Sequence, residues 1–336
     1  MSADTSLLPD LAAIEAAEVR IREQVSPTPT VQLYGLEKII GQVLWAKAEN
    51  LQRTGSFKAR GAVNWLLTAS AGELDGGLVT VSAGNHALAL AWAAARVGVP
   101  VTVMMPAGSS PMKVAATRAY GAEVIVEGSI QEAVERCMRY RDERGMTLVH
   151  PYNDPRIMAG QGTVGLELLR QLPALQRVLC PIGGGGLISG IGLALKALKP
   201  DIELIGVEPE GAATMRNAWN HDRADAALER IDTVAVSLGP AVVGAHTFAA
   251  SRQVVDDVVT VSDPAIIEAT KLMATSGHLY AETGAVVGLA ALLDAAVPVR
   301  PDQVTATIVT GGNMDLSQLC SFASSPEMAG GAKRSR

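Results

Sequence analysis

One pattern constrains this chain more than any other. Short β-branched runs stop at a glycine, serine or asparagine turn and give way at once to a helical stretch. Leu78-Val79-Thr80-Val81 stops at Ser82-Ala83-Gly84-Asn85, and a helical stretch follows from His86 to Val97. Val178 to Ile182 runs into Gly183-Gly184-Gly185-Gly186 and a helix from Leu187 to Leu198. Val304 to Val309 ends at Gly311-Gly312. Further strands are expected at Val101 to Met104, Val124 to Val126, Thr147 to Val149 and Glu203 to Val207. Helices are expected from Pro111 to Tyr120, Gln131 to Arg144 and Ala212 to Trp219. Asp263 as N-cap and Pro264 in the first turn open another. Continuous apolar strands alternating with helices predict an α/β fold of open parallel sheets covered on both faces.

The four strands between Val79 and Asn153 suffice for a small sheet of their own. The expected division is a small domain at 79–153 and a large domain built from 1–78 and 154–336. With 48% hydrophobic and 18% charged residues, the chain can bury a sizeable core. Its net charge of -6 without a basic stripe argues against nucleic acid as a partner. The apolar stretch Ala285 to Val299 is short and carries Asp294, so it reads as a buried helix and no membrane partner is expected. Met1 to Asp10 lacks a cationic start and an apolar core, so no signal peptide is read there. Cys137, Cys180 and Cys320 are odd in number and far apart, which fits a cytoplasmic chain without disulfides. Cys180 reads as a small buried hydrophobe at a strand end. The tail Ala329 to Arg336 is small and basic, with fraying expected.

In open α/β sheets, ligands sit beyond the carboxyl ends of strands. Ser82 to His86, Gly183 to Gly186 and Thr310 to Asn313 all fall there. The four glycines precede a helix, so their N–H groups can cradle a phosphate. The competing reading is a tight strand-to-helix turn. No register of Gly183 to Gly190 gives G-x-G-x-x-G, and no Gly-Lys-Ser/Thr follows, which removes dinucleotide and P-loop sites. Upstream, Ser56-Phe57-Lys58-Ala59-Arg60-Gly61-Ala62 offers Lys58 as an amine and Phe57 as an apolar wall. A lysine forming a Schiff base should be desolvated, which favours its neutral form. Arg60 reads as a surface or subunit-contact charge. Asn85 can hydrogen-bond a ring oxygen. The loop Ser82, Ala83, Gly84, Asn85, His86 can take a substrate carboxylate at a helix start. His86 can equally be a helix cap. Glu282 is either a charge at a helix N-terminus or a ring-facing group. Thr310 would set a hydroxyl against a ring nitrogen, and Asn313 fixes its turn. An amine, an anion cradle and a hydroxyl for a ring nitrogen are the parts that hold pyridoxal 5'-phosphate (PLP).

Taken in this order, the motifs resemble fold-type-II PLP enzymes, specifically the threonine/serine dehydratase (ammonia-lyase) and serine racemase group. The resemblance spans Thr28 to Asn313 and includes Thr28-Pro29-Thr30 and the run Pro155 to Gly165. It implies the tryptophan synthase β-subunit-like fold and a homo-oligomer, dimer or tetramer. It also implies that Lys58 carries the cofactor covalently and moves the Cα proton. Gly183, Gly184, Gly185, Gly186 and Leu187 would hold the phosphate, Asn85 the 3′ oxygen and Thr310 the pyridine nitrogen. The reaction implied converts a β-hydroxy amino acid such as L-threonine or L-serine to a 2-oxo acid and ammonia. With no regulatory domain fitting after Asn313, the catabolic type is expected.

Three departures stand out. Relatives often continue Asn-His-Ala-Gln-Gly, whereas Leu88-Ala89 stands here. Many have Asp-Gly after Thr-Ile-Ala, whereas Val236-Ser237 follows Thr233-Val234-Ala235. Ser237-Leu238-Gly239 is closer to a branch linked to hydroxyectoine breakdown. Racemase-type relatives bind a divalent cation; Glu208 and Ala212 match its ligands, but Thr214 replaces an aspartate. Alternatives are a racemase, a β-replacement enzyme, and a non-catalytic PLP-binding protein. Asn85-His86 argues against β-replacement, and intact Lys58 against a carrier.

Overall fold

The computed structural model describes residues 5–324. The expectation for the tail Ala329 to Arg336 lies outside them, as does the Met1 to Asp4 part of that for Met1 to Asp10. Among the described residues there are ten strands: β1 (Thr30–Gln32), β2 (Leu44–Ala48), β3 (Leu78–Val81), β4 (Val101–Met105), β5 (Glu123–Val126), β6 (Thr147–Leu148), β7 (Arg177–Pro181), β8 (Glu203–Pro209), β9 (Asp257–Val261) and β10 (Thr305–Val309). They form a six-stranded sheet ordered β1-β2-β10-β7-β8-β9 and a four-stranded sheet ordered β5-β4-β3-β6. All pairs are parallel except β1 with β2.

Parallel pairing follows from burial on both faces. Along β7, Leu179 joins one hydrophobic core while Val178 and Cys180 join another. Along β10, Val309 joins the first core while Ala306 and Ile308 join the second. Side chains alternate faces along a strand, so a strand covered twice must be apolar throughout. The four-stranded sheet repeats this, with Val103 packed toward the helix Asn85–Ala95 and Met104 toward the helix Ile130–Arg144. Because β10 enters between β2 and β7, the chain segments leaving these three strands emerge side by side.

Several expectations need correction. Strands β1, β2 and β9 were not read from the sequence. Residues Glu210–Ala212 form a 3-10 turn, and the helix after β8 starts at Thr214. Ser262, not Asp263, is the N-cap of the helix Asp263–Thr275. The Asp263 carboxylate instead accepts from Thr233 Oγ1 at 2.6 Å and Val234 N at 2.9 Å. The stretch Ala285 to Val299 is helical only over Val287–Leu293. Among the described residues, no helix is long and apolar enough to cross a membrane.

Arg60 is the largest correction. Far from lying at the surface, it is 1% exposed. Its guanidinium grips Glu49 through Nε and Nη2 at 2.8 Å each, and Glu167 through Nη1 at 2.7 Å and Nη2 at 2.9 Å. Lys47 donates to the same Glu167 at 2.8 Å and to the Thr28 carbonyl at 2.6 Å. Burial opposes the charge of Arg60, yet the two carboxylates hold its pKa above the ordinary value. Five donors in a rigid fork suit this task, which explains arginine here. Lone apolar neighbours in the sequence gave no sign of partners 11 and 107 residues away.

Glu167→Ala should leave two cations buried against one carboxylate. A loss of about 3–5 kcal/mol is expected, read as a lower urea midpoint. A loss under about 1 kcal/mol, the range of exposed pairs, would contradict the role given to this cluster.

Candidate active site

Lys58 opens the helix Lys58–Thr68, directly after the chain has crossed the end of β10. That crossing is pinned twice. Phe57 N donates to the Thr310 carbonyl at 3.1 Å, and Ser56 bridges Gly311. Lys58 Nζ donates to the Pro151 carbonyl at 2.7 Å and lies 5.1 Å from the Phe57 ring centre. Burial lowers the pKa of this ammonium to about 8. At neutral pH a useful fraction is therefore free amine, the form that attacks a carbonyl.

The segment Val149 to Asn153 organises the surroundings of Lys58. His86 Nε2 lies 3.2 Å from the Val149 carbonyl, and a carbonyl only accepts, so Nε2 carries the proton. His86 Nδ1 is then a buried acceptor, and it has no partner. His150 Nδ1 accepts from the N–H groups of Tyr152 at 3.3 Å and Asn153 at 2.9 Å. Burial, then the charge of Lys58, pushes His86 down to about 3 and His150 down to about 4. Both imidazoles are neutral at physiological pH. Of the two readings for His86, helix cap and carboxylate loop, the capping bond is not what this side chain makes. His150 and Tyr152 were missed in the sequence. Their signal was available: they follow strand β6, as the other motifs follow theirs.

Tyr152 connects the lysine to the glycine loop. A methyl group built on Gly184 would lie 2.2 Å from the Tyr152 ring, and one on Gly186 3.0 Å from Tyr152 Cβ. A methyl on Gly185 would meet Met215 at 2.8 Å, and this residue has φ +91°. The glycines are thus demanded by protein packed behind the loop. The N–H groups of Gly183, Gly184 and Gly185 have no acceptor among the described residues. They precede the helix Gly186–Leu198, whose N-terminus favours an anion. Thr247 Oγ1 fixes the loop by donating to the Gly184 carbonyl at 2.8 Å.

A line of side chains closes the opposite side. Asn313 Nδ2 donates to the Thr54 carbonyl at 2.7 Å and to Asn85 Oδ1 at 2.8 Å. Asn85 Nδ2 donates to Glu282 Oε1 at 2.6 Å. Glu282 is 4% exposed and precedes a 3-10 turn without capping it. Its carboxylate is turned inward, so the simple N-terminal charge is not its position. A methyl at Gly311 would strike Glu282 Oε1 at 3.0 Å and Asn85 Nδ2 at 3.1 Å. Thr310, 4% exposed, ends β10 beside them. In the loop ahead of Asn85, Ser82 Oγ accepts from Gly84 N at 3.2 Å and Ala83 is exposed.

Glu208 and Ala212, the expected cation ligands, lie just ahead of the helix Thr214–His221, where the carboxylate has protein donors. Glu208 Oε1 accepts from Met215 N at 2.7 Å and Oε2 from Arg216 N at 2.9 Å. Thr214 Oγ1 donates to the Pro240 carbonyl at 2.7 Å and lies 3.4 Å from the Ala212 carbonyl. Burial raises the Glu208 pKa to about 8, which disfavours the anion a hard cation needs. The donors expected to bind a metal already serve the start of the helix Thr214–His221.

A reactive amine, unpaired N–H groups before a helix, an orphaned acceptor on His86 and a buried unpartnered hydroxyl on Ser56 define a site for a phosphorylated carbonyl compound. Comparison with known proteins names the class. The family model described as "Pyridoxal-phosphate dependent enzyme" matches residues 21–311, and the chain belongs to that family. It is 39% identical over 309 residues to the L-threonine ammonia-lyase of Geobacter sulfurreducens, covering 91% of this chain and 76% of that one. It is 38% identical over 322 residues to the serine racemase of Arabidopsis thaliana, covering 94% and 97%. The solved structure of a threonine deaminase from T.th. superposes with a TM-score of 0.85 at 39% identity, covering 91% of this chain and 99% of that chain. The fold is that of the fold-type-II PLP enzymes, and PLP is the cofactor.

Two outcomes follow from this geometry. Covalent capture of PLP by the apo chain should slow about tenfold per pH unit below about 8, because Lys58 is then protonated. Visible absorbance after rapid mixing reports it; a rate flat from roughly pH 6 to 9 would refute the depressed amine. Separately, EDTA followed by millimolar magnesium or calcium should change turnover less than about twofold. Strong, EDTA-reversible activation would show a cation site built from other groups.

Proposed function

We propose that this chain is a PLP-dependent ammonia-lyase of catabolic type, acting on a β-hydroxy amino acid such as L-threonine or L-serine. Substrate loses its β-hydroxyl as water, and hydrolysis of the resulting enamine gives a 2-oxo acid and ammonia. The observation that carries the reading is Lys58, a part-buried amine with a lowered pKa, near two neutral imidazoles and bonded to the Pro151 carbonyl beside Tyr152, whose ring backs the glycine loop. PLP, when bound, supplies the electron sink that makes the Cα proton removable. Names of relatives favour elimination: L-threonine ammonia-lyase, threonine deaminase and others.

The chain's residues divide the work. Lys58 bonds the cofactor and moves the Cα proton. The N–H groups of Gly183 to Leu187 bind the phosphate. Asn85 and Glu282 face the ring edge, Thr310 the ring nitrogen, and Phe57 one wall. A hydroxyl at Thr310 cannot keep that nitrogen protonated as a carboxylate would, which suits expulsion of a leaving group over a long-lived carbanion. Ser82, Ala83, Gly84, Asn85 and His86 receive the substrate carboxylate at the start of the helix Asn85–Ala95. Residues 79–153 act as the small domain, and 1–78 with 154–336 as the large one. Three cysteines, odd in number and far apart in the chain, support a reducing, cytoplasmic setting, and the active form is a homo-oligomer.

The test is direct. Purified, PLP-loaded chain given a panel of β-hydroxy amino acids should release ammonia and 2-oxo acid in equal amounts. Lys58→Ala should abolish both while the protein stays folded. A panel without ammonia release, or a variant that keeps it, would overturn the reading.

Serine racemases among the relatives favour a second reading, and Ala83 argues against it, standing where the resemblance implies a serine that serves the second face in racemase-type relatives. Racemisation needs a proton carrier on each face of a planar carbanion. A methyl group carries none, and the neighbouring Ser82 hydroxyl is turned into the loop toward Gly84 N. With L-serine, pyruvate should outpace D-serine by roughly tenfold or more, as loss of one proton carrier costs at least that much. Ala83→Ser should raise the D-serine share. Comparable rates in the unaltered chain, read by chiral chromatography, would restore the racemase reading.

A further inference from the structure

Lys113 is 8% exposed, and neither its sequence surroundings nor the roles given above account for it. It belongs to the helix Pro111–Ala119 beside the four-stranded sheet. Its ammonium reaches across to Glu282 Oε2 at 3.7 Å, close enough for an ion pair without a hydrogen bond. It also lies 3.5 Å from where a side chain on Gly84 would begin. Just ahead of it in the chain, Ser110 Oγ donates to Asp315 Oδ2 at 2.9 Å. One end of this helix is therefore held to two segments that flank the turn Thr310 to Asn313.

The polarity of the line Asn313, Asn85, Glu282 can be derived. The Thr54 carbonyl only accepts, so Asn313 must present its nitrogen there. That nitrogen also faces Asn85, so Asn85 must turn its oxygen toward it. Asn85 then has only its nitrogen to offer Glu282, and Glu282 must accept. A carboxylate accepts with both oxygens, whereas a carboxylic acid has one O–H that donates. Glu282 accepts from Asn85 with Oε1, and a carboxyl group buried to this degree needs a partner for its second oxygen as well. Lys113 is the cation placed on its second oxygen.

We infer that Lys113 is a positioning residue of the active site, holding the Glu282 carboxylate, and through it the Asn85 amide, toward the cofactor ring. This rests on the proposed placement of Asn85 and Glu282 at the ring edge. It gives Lys113 a task that packing alone would not: its charge, and not its length, holds the Glu282 carboxylate in place as the acceptor of the Asn85 amide. The pair also joins a helix of the four-stranded sheet to a segment of the six-stranded one, so the ring edge is set by both.

The experiment uses the full chain loaded with PLP, in the unaltered form and as Lys113→Met, Lys113→Arg, Glu282→Gln and Lys113→Met/Glu282→Gln. The readouts are the visible absorption band and the equilibrium dissociation constant for PLP. Lys113→Met should shift the band and weaken PLP about tenfold, the size of one charge-assisted contact. Lys113→Arg should recover most of both. In the double variant the neutral amide no longer needs a cation, so its loss should be smaller than the two single losses combined. An unchanged band and affinity in Lys113→Met overturn the inference. Equal damage from methionine and arginine, or losses that simply add, do so too. Should Lys113→Met fail to fold, the other single variants decide: arginine must keep the band and Glu282→Gln must move it. A failure of the cofactor assignment itself would show separately, as a visible band that survives Lys58→Ala.

Discussion

The buried grip of Arg60 on Glu49 and Glu167 is the contact on which the site depends. Arg60 lies two residues beyond Lys58, in the first turn of the same helix. Glu49 follows β2, and Glu167 lies on the helix Pro155–Gln171, so one guanidinium locks three elements to a common point. Lys47 and Thr28 extend the lock to the start of β1. A helix fixed so close to its N-terminus leaves Lys58 little choice of direction. The desolvation that lowers the pKa of Lys58 is a consequence of that fixed direction, since a lysine free to swing would seek water.

Parallel pairing does the rest. Strands β2, β10 and β7 lie side by side with their carboxyl ends together, and their exits carry Glu49, Thr310 and Gly183. Residues more than a hundred positions apart in the chain meet because the last strand is inserted in the middle of the sheet. The four-stranded sheet brings its own strand ends, with Asn85 after β3 and His150 after β6. Two sheets thus face each other with the same kind of edge.

Much of this was legible in the sequence where chemistry and backbone demand coincide. The glycine run, the turn at Thr310 to Asn313 and the loop before Asn85 each combine a strand end with residues of restricted use. The short strand β1 escaped notice because its three residues are half-buried and mixed, whereas β9 carries a β-branched run, Val258 to Val261, like that of β3. Arg60 escaped for a different reason. Its partners are fixed by tertiary packing, and no local pattern distinguishes a paired arginine from a solvated one. The same holds for Lys113 and for Glu208, whose carboxylate accepts from two backbone N–H groups that no local pattern announces. Sequence motifs report which groups are present; which of them are already spoken for depends on neighbours distant in the chain.

Pro151 and Tyr152 are consecutive residues, and each touches a different end of the site. The carbonyl of the first receives the Lys58 ammonium, and the ring of the second backs the glycine loop. The separation between the amine and the anion cradle is therefore set in part by the peptide unit that joins Pro151 to Tyr152. Such a link acts as a gauge. A ligand whose carbonyl and phosphate are set at a matching distance engages both ends at once, and the second contact forms at high effective concentration. A shorter or longer phosphorylated aldehyde would reach one end only, so the spacing between Lys58 and the glycine loop bears on selectivity before the ring itself is read.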